Sequence, residues 1–173
     1  MTKYKIIKYG DNILREKLKP SEFKTLEPLL EELVKDMVEM CEGAKGVGLS
    51  ANQIGLRHRL AVILIPEEND KKKKKLYVVI NPRITERTGC IVDEEGCLSL
   101  PGLYVDIERA KTIVVRYVNE KGENVELKAT GLLAKALQHE IDHLDGKIFI
   151  DRADPKVKPQ IKKALKELKP KWK

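Results

Sequence analysis

The sequence has few cysteines, few aromatic residues and no long hydrophobic run, and each shortage excludes a class of protein. It contains three cysteines, an odd number, so a disulfide-stabilised secreted fold is not expected and a reducing, cytoplasmic setting fits better. No apolar segment of membrane length follows the start of the chain, so we expect neither a signal peptide nor a membrane span. With one Trp, five Tyr, two Phe and no nucleic-acid motif, recognition of bases is also disfavoured.

The residues that are abundant indicate a folded, basic protein. Apolar residues make up 42% of the 173 positions and the charges are spread through the chain, which predicts one domain spanning residues 1–173 with a buried core. The formal net charge is +7. This excess suits solubility, and it also suits weak electrostatic contact with RNA or a ribonucleoprotein surface.

One short run, Gln138–His143, carries the residue types of a metal site. His139 and His143 are four apart, so on a helix they share one face and can bind the same metal ion. Glu140 projects from the flank of the same turn, where its carboxylate can act as a general base for an attacking water. A helix with two surface histidines gives the same pattern, so the metal interpretation depends on a third ligand.

Cys97 is the best candidate for that third ligand. A free cysteine is more often a small buried hydrophobic residue, but acidic residues and Gly96 surround this one. His58 lies far upstream, and Glu167, the only glutamate after the motif, falls on the lysine-rich flank of the last predicted helix. A thiolate with two imidazoles suits iron(II), zinc, cobalt or nickel, and a catalytic site with three protein ligands keeps one position open.

Three segments have the pattern of helices. Apolar residues recur three and four apart from about Thr25 to Glu42, with Pro28 expected in the first turn, where proline is tolerated. Thr130 is a good N-cap for the helix that carries the histidines, and Asp145–Gly146 ends it. The basic segment 154–173 predicts an amphipathic C-terminal helix with lysines on its polar side.

Strand patterns occupy most of the remaining chain. They lie at Leu60–Ile65, Leu76–Ile80 (ended by Asn81–Pro82), Arg83–Val92, Thr112–Val118 and Asn124–Lys128. The lysine run Lys71–Lys75 reads as part of a solvated hairpin loop. We therefore expect an α+β fold in which antiparallel sheets pack around a central metal-binding helix, with an N-terminal and a C-terminal helix outside.

A glycine-rich stretch from Gly43 to Gly55 follows the first predicted helix. Its Gly-x-Gly pair lacks the Lys-Ser/Thr of a P-loop and follows a helix instead of a strand, so phosphate binding has little support. Two interpretations remain from the residues alone. The stretch is an ordinary helix-to-strand connection, or its glycines let a ligand approach the backbone closely.

Three separated stretches together resemble the signatures of peptide deformylase. They are Gly46–Gln53, Glu95–Ser99 and Gln138–His143, and their order and separations are similar to those of that family. Ser50 stands where the family pattern usually has Ala. Tyr104 stands where some members have a substrate-contacting Arg, and the run Lys71–Lys75 extends a loop that is often shorter.

The resemblance implies hydrolysis of the N-formyl group of formylmethionine at the start of newly synthesised proteins, with release of formate. It assigns Cys97, His139 and His143 as ligands of one divalent metal ion, with Fe(II) as the family's usual metal and Zn, Ni or Co as alternatives. It assigns Glu140 as the general base. The Leu98 backbone N–H and the Gln53 side-chain amide would then stabilise the oxyanion.

The same resemblance gives an extended N-formylmethionyl nascent peptide as the partner. The residues expected to bind it are Gly46, Val47, Gly48, Gly96, Leu132 and Ala136, with Lys135 at the edge of the methionine pocket. The basic C-terminal helix allows contact with the ribosome surface, although a helix that packs on the sheet with its lysines in water explains it equally well. We expect a monomer in the cytoplasm with no membrane association.

Two other functions stay open at the level of sequence. A zincin-like metallopeptidase would use Glu167 as its third ligand. A non-catalytic protein with a structural zinc site would need a fourth protein ligand, and the sequence offers only distant His58 or a cysteine placed in the core.

Overall fold

A computed structural model describes residues 3–70 and 73–172. Three α-helices, α1 to α3 in chain order, cover Phe23–Gly43, Gly131–Leu144 and Lys158–Leu168. Seven strands, β1 to β7, cover Gly48–Ser50, Leu60–Pro66, Lys74–Thr88, Ile91–Cys97, Leu100–Arg109, Thr112–Val118 and Asn124–Thr130. Short 3₁₀ turns occupy Asn12–Arg15, Ala51–Ile54, Phe149–Arg152, Pro155–Val157 and Lys169–Lys171.

The strands form two antiparallel sheets that enclose α2. The larger sheet has the order β1-β2-β3-β6-β7, and β4 and β5 form a separate hairpin. Helix α2 packs against β1, β2 and β7 through buried Leu137, Ile141 and Leu144, which join one core cluster with the inner residues of the sheet. The predicted α+β fold around a central helix is confirmed.

Helix α1 forms as its hydrophobic periodicity predicts and packs Leu26, Leu33, Met37 and Cys41 into a core cluster with β1 and β2. Its start was predicted too late. Because the helix begins at Phe23, Pro28 is the sixth residue and lies inside the helix, not in the first turn. The missing N–H and the ring of Pro28 disturb one turn only, and the buried face on either side keeps the helix continuous.

Helix α2 has the predicted ends. Thr130 occupies the N-cap position with extended backbone, although its side chain makes no capping hydrogen bond. At the C-terminal end Gly146 has a φ of +72°, and a Cβ there would lie 2.5 Å from the Arg15 carbonyl oxygen. Glycine is therefore required on both conformational and steric grounds. The two histidine positions lie in the last turns before this stop.

The predicted break after Ile80 is wrong. Strand β3 continues through Asn81 and Pro82 as a bulge, with a register shift between Ile80 and Arg83 against β6. Asn81 adopts a φ of +54°, and its side-chain amide exchanges two hydrogen bonds of 2.8 Å with the backbone of Ser21. These bonds hold a conformation that would otherwise end the strand.

The segment Arg83–Val92 also differs from its predicted role as a continuation of the same sheet. Strand β3 ends at Thr88, and Ile91 and Val92 begin the second sheet. Gly89 separates the two with a φ of +67°. The β4–β5 hairpin that follows was not predicted, and it places Cys97 at the end of β4.

The C-terminal segment is a helix flanked by two 3₁₀ turns instead of the single helix predicted for residues 154–173. Ile161, Leu165 and Leu168 pack in a third core cluster with β5, and the indole Nε1–H of Trp172 donates to the Pro101 carbonyl at 2.9 Å. The lysines face outward. This packing supports the predicted apolar side of the segment.

The connection between β2 and β3 is a hairpin, as predicted, with Pro66 opposite Lys74. The prediction that the run Lys71–Lys75 lies in the loop is wrong for Lys74 and Lys75, which pair with β2 as the first residues of β3. Lys71 and Lys72 of the lysine run lie outside the described residues. No helix in residues 3–70 and 73–172 is long and apolar enough to cross a membrane.

Candidate metal centre and active site

Cys97, His139 and His143 converge as predicted. Their candidate ligand atoms all lie within 4.8 Å of one another, and residues 3–70 and 73–172 contain no other such group of His, Cys, Asp and Glu. Cys97 comes from the end of β4, and the two histidines lie on successive turns of α2 with ring centroids 4.9 Å apart. A hairpin and a helix far apart in sequence thus build one donor set.

The Cys97 sulfur lies in a strongly polar setting. Its Sγ is 3.1 Å from His143 Nε2, and it accepts hydrogen bonds from the Ser99 N–H and the Gln53 Nε2–H at 3.4 Å each. Burial by itself would raise the pKa of the Cys97 thiol, but the imidazoles of His143 and His139 hold that pKa well below its ordinary value. The thiolate is the form that binds metal ions.

Glu95 fixes the orientation of His139. The Glu95 Oε2 lies 3.0 Å from His139 Nδ1, so Nδ1–H donates to the carboxylate and Nε2 is left for the donor cluster. Burial would raise the pKa of Glu95, but Arg109 and His139 lower it to about 2. The carboxylate is therefore charged, as this contact requires.

Arg109 extends this contact into a buried chain of charges. Its Nε–H and Nη2–H donate to the two oxygens of Glu95 at 2.8 and 3.0 Å, and its Nη1–H donates to Asp142 Oδ2 at 2.5 Å. Arg152 closes the far end with hydrogen bonds of 3.1 and 2.7 Å to Asp142. Sequence reasoning missed these residues. The available signal was the alternation of β5, which places Arg109 on the buried face with Leu103 and Ile107.

Glu140 is 3% exposed, and its Oε2 has no hydrogen-bond partner among the described residues. Burial raises the pKa of this carboxyl above its ordinary value. Because this oxygen is unpaired and lies beside three potential metal ligands, it can accept a proton from a bound substrate or from a water. Gly48 makes the position possible, because a Cβ on Gly48 would lie 2.5 Å from Glu140 Oε1.

Gln53 presents its amide N–H groups toward the donor cluster. Its Oε1 accepts from the Ser50 N–H at 3.0 Å, while its Nε2–H donates to Ser99 Oγ at 3.1 Å and to Cys97 Sγ. Leu98 follows Cys97 in the turn between β4 and β5, and its carbonyl accepts from Lys8 Nζ at 3.0 Å. Both residues predicted as oxyanion donors therefore adjoin the cluster.

A cavity of about 620 Å³ opens beside these groups. Its walls include all six residues predicted to bind substrate: Gly46, Val47, Gly48, Gly96, Leu132 and Ala136. Lys135 and Tyr104 also line it, and Lys135 Nζ donates to Asp93 Oδ2 at 2.8 Å. Tyr104 is 63% exposed and lies against Gly96, where a Cβ would be 2.6 Å from its ring.

The other candidate ligands lie elsewhere. Glu167 is exposed on α3, and neither Glu167 nor His58 belongs to the donor group. The third donor comes from upstream, from the β4–β5 hairpin. This arrangement disfavours the zincin interpretation, and the donor group of three offers no fourth protein ligand for a closed structural zinc site.

Comparison with known proteins decides the family. Residues 3–159 match the family model described as polypeptide deformylase. The chain belongs to the polypeptide deformylase family. A peptide deformylase of Elusimicrobium minutum is 64% identical over 171 residues, which cover 97% of each chain.

Solved structures of the same family have the same fold. The peptide deformylase of Thermus thermophilus has a TM-score of 0.84 at 43% identity, with 95% of this chain and 94% of that one covered. A Met-Ala-Ser-bound peptide deformylase of Acinetobacter baumannii has a TM-score of 0.80 at 31% identity, with coverage of 88% and 99%. The resemblance inferred from the three motifs is thus confirmed.

Proposed function

We propose that this protein is a hydrolase that removes the N-formyl group from the formylmethionine of newly synthesised proteins and releases formate. The observation that carries the proposal is the meeting of Cys97, His139 and His143 next to Glu140, whose Oε2 has no partner among the described residues. Cys97, His139 and Glu140 line the wall of a peptide-sized cavity. Family membership supports the same reaction. We propose residues 1–173 as a single catalytic domain.

The donor set fits a divalent metal ion. One sulfur and two imidazole nitrogens lie within 4.8 Å, the thiol has a depressed pKa, and Glu95 holds one imidazole in the ligand tautomer. When bound there, such an ion lowers the pKa of a water and polarises the formyl carbonyl. We propose Fe(II) as the native ion, and the same donors would accept Zn, Ni or Co.

Glu140 is proposed to move the proton. Its raised pKa and free Oε2 suit a carboxylate that takes a proton from the attacking water and returns it to the leaving amine. The bond from the water oxygen to the formyl carbon forms first and places negative charge on the formyl oxygen; the bond from that carbon to the methionine nitrogen then breaks as the nitrogen takes up the proton. Formate and a free amino terminus are the products.

Gln53 and Leu98 are proposed to stabilise the oxyanion. The Gln53 amide is held with its Nε2–H groups toward Cys97 by the donors on its oxygen. The Leu98 backbone N–H comes directly after Cys97 in the same turn. Donors fixed before the reaction need no reorganisation when negative charge develops on the formyl oxygen.

The peptide is proposed to bind as an added strand. Strand β1 is at the edge of the larger sheet, and it is directly preceded by Gly46 and Val47 on the cavity wall. An edge strand offers backbone groups to an extended peptide, and glycines permit close approach. A methionine side chain would then enter the apolar part of the cavity at Val47, Leu132 and Ala136.

The pocket assignment predicts a loss of specificity in Leu132→Trp. Leu132 is 45% exposed at the cavity, so the larger indole would obstruct the methionine pocket with little effect on folding. We expect kcat/KM for formyl-Met-Ala-Ser to fall about tenfold or more, and that for formyl-Ala-Ala-Ser to fall less. Leu29→Trp, at a residue on α1 that is 55% exposed, is the control. Unchanged turnover of the methionyl peptide would show that the pocket is misplaced.

Gly48→Ala is expected to lower kcat on the order of 10²-fold by displacing the general base. The added Cβ would lie 2.5 Å from Glu140 Oε1 and 2.9 Å from its Cδ, so the carboxylate must move. The measurement is kcat for formate release at saturating peptide, with metal content determined on the same samples. Gly43→Ala, where the added Cβ meets nothing within 4 Å, should retain full activity. Equal activity in the two variants would contradict the placement of Glu140.

The zincin alternative makes the opposite prediction for metal binding. Cys97→Ala should abolish stoichiometric metal content under our proposal, whereas Glu167→Ala should leave it unchanged. The reverse result would favour a zincin-like site. Metal analysis after anaerobic purification gives the answer without an activity assay.

We also propose that the protein is a monomer in the cytoplasm and that it contacts the ribosome surface. The lysines of α3 are exposed while its apolar side packs in the core, which leaves a basic face for ribosomal RNA. Charge reversal at Lys162, Lys163 and Lys166 is expected to reduce co-sedimentation with ribosomes. The same change at three exposed lysines elsewhere should not reduce it: Lys19, Lys24 and Lys35.

A further inference from the structure

The Ser50 hydroxyl is fully buried beside the proposed oxyanion donor. Ser50 Oγ lies 2.9 Å from Gln53 Oε1 and 2.8 Å from Asn52 Oδ1, and the Ser50 N–H donates to the same Gln53 oxygen at 3.0 Å. Ser50 precedes the 3₁₀ turn Ala51–Ile54 and serves as its N-cap. The side chain therefore bridges two amides within one turn.

These bonds determine which way the Gln53 amide faces. The Ser50 N–H and a hydroxyl proton that is shared with Asn52 Oδ1 face the carbonyl oxygen of Gln53, so its Nε2 is directed to Ser99 Oγ at 3.1 Å and to Cys97. A flipped amide would place its N–H groups against the Ser50 N–H and turn its oxygen toward the Cys97 sulfur, so it would lose both of these contacts, whereas the two serine hydroxyls could reverse their roles. Donation to the carbonyl oxygen also polarises the amide and strengthens its N–H as a donor.

Asn52 ties the same hydroxyl to the metal-binding helix. Its Nδ2–H donates to the His143 carbonyl oxygen at 2.7 Å, which leaves Oδ1 to accept from Ser50 Oγ. The one hydroxyl proton of Ser50 is thus shared between two amides. The Asn52 amide contacts the backbone of His143, and the Gln53 amide is the proposed oxyanion donor. All three residues are almost completely buried.

We propose that Ser50 is a positioning residue for deformylation. Its hydroxyl holds the Gln53 side-chain N–H toward the oxyanion and, through Asn52, links the Gln53 amide to the backbone of α2 at His143. This inference rests on the proposed role of Gln53. Without the hydroxyl, Gln53 Oε1 and Asn52 Oδ1 lose the one proton that they share, and only the Ser50 N–H still donates to Gln53. The hydroxyl therefore acts on turnover through Gln53 and not by contact with the peptide.

The test is a double-mutant cycle with Ser50→Ala, Gln53→Ala and the double variant, loaded with the same metal. Ser50→Ala keeps the backbone N–H and removes only the hydroxyl. We expect kcat for formyl-Met-Ala-Ser to fall about 5- to 30-fold with KM nearly unchanged, less than the roughly 10²- to 10³-fold that follows loss of a whole oxyanion donor. In the Gln53→Ala background the same change should have almost no effect on kcat.

The Glu140 carboxyl also lies near the Ser50 hydroxyl. The double-mutant cycle separates an effect of the hydroxyl on Gln53 from an effect on Glu140. A loss in kcat of the same size with and without the Gln53 amide would overturn the proposal, because the hydroxyl would then act through Glu140 or through general packing. The kcat of Ser50→Cys, which has a side chain of similar shape and a weaker donor, should lie between the values for Ser50 and Ser50→Ala. The cysteine variant also serves if the alanine variant folds poorly.

A second readout needs no activity. In ¹⁵N-labelled, metal-free protein, Ser50→Ala should shift the side-chain amide signals of Gln53 and speed their hydrogen exchange. The signals of Asn119, whose amide bonds to exposed Glu123, should stay unchanged. Unaltered Gln53 signals would overturn the inference while leaving the proposed function intact. Absence of formate release from the unsubstituted protein would instead remove the function itself.

Discussion

Replacing Glu140 with glutamine is expected to lower kcat for formate release by about 10²- to 10⁴-fold, the usual contribution of a positioned general base. Glutamine has nearly the same shape, so it fits the space beside Gly48 that the buried carboxylate now occupies. It cannot take a proton from water. The measurement is kcat at saturating formyl-Met-Ala-Ser for both proteins.

The metal content of the Glu140→Gln variant should equal that of the unsubstituted protein. Cys97, His139 and His143 form the donor group without Glu140. Loss of metal together with activity would mean that the carboxylate is a ligand and not the base. If the variant kept both its metal and its activity, Glu140 would not be the general base.

Arg109→Met is expected to lower the free energy of unfolding by about 3–5 kcal/mol, since it leaves buried carboxylates without their shared partner. Arg109 donates two bonds to Glu95 and one bond to Asp142, and all three residues are buried. Urea denaturation of the metal-free proteins measures the difference. Arg116→Met, which breaks an exposed pair with Glu126, should cost less than about 1 kcal/mol.

The same Arg109 variant should bind metal about 10- to 100-fold more weakly, because Glu95 would no longer be held against His139 Nδ1. Without the guanidinium, the pKa of Glu95 would rise from its present value of about 2. Titration with Co(II), followed by its absorption bands, gives the affinity. A destabilised variant with full metal affinity would show that the charge chain supports the fold alone.

Hydrophobic periodicity and short motifs were sufficient to predict many of the helices, strands and candidate site residues. The three- and four-residue recurrence located α1, and the strand alternation located β6 and β7. His139, Glu140 and His143 were found from spacing on one helix, and Cys97 from its unusual acidic surroundings. Such signals are local, so they survive without knowledge of the tertiary structure.

The features missed depend on contacts between distant segments. The β3 bulge at Asn81 is stabilised by Ser21, which lies sixty residues away. Glu95 was recognised only as part of a signature stretch and Arg109 was not recognised, because their roles appear only when the β4–β5 hairpin places Arg109 on Glu95 and Glu95 on His139. The proposed roles of Gln53 and Leu98 came from family resemblance, because no spacing rule links a loop amide to an oxyanion.

The central helix of this protein shares its histidine pair with zincin peptidases, but the third donor differs. In the proposed site a thiolate from a hairpin takes the place of a ligand downstream of the helix, and the hairpin also brings Glu95 and Leu98 to the same site. One hairpin therefore supplies the donor, the group that orients His139 and the proposed oxyanion N–H. The chemistry proposed depends on this tertiary contact and not on the helix motif alone.

The most direct test of the proposed function is formate release from formyl-Met-Ala-Ser by protein purified without oxygen, assayed with and without a chelator. Acetyl-Met-Ala-Ser is the control for the formyl group. We predict one formate for each free methionine amine formed, loss of release with chelator, and recovery on adding Fe(II) or Ni(II). No metal-dependent formate release, or release that continues in Cys97→Ala, would contradict the account.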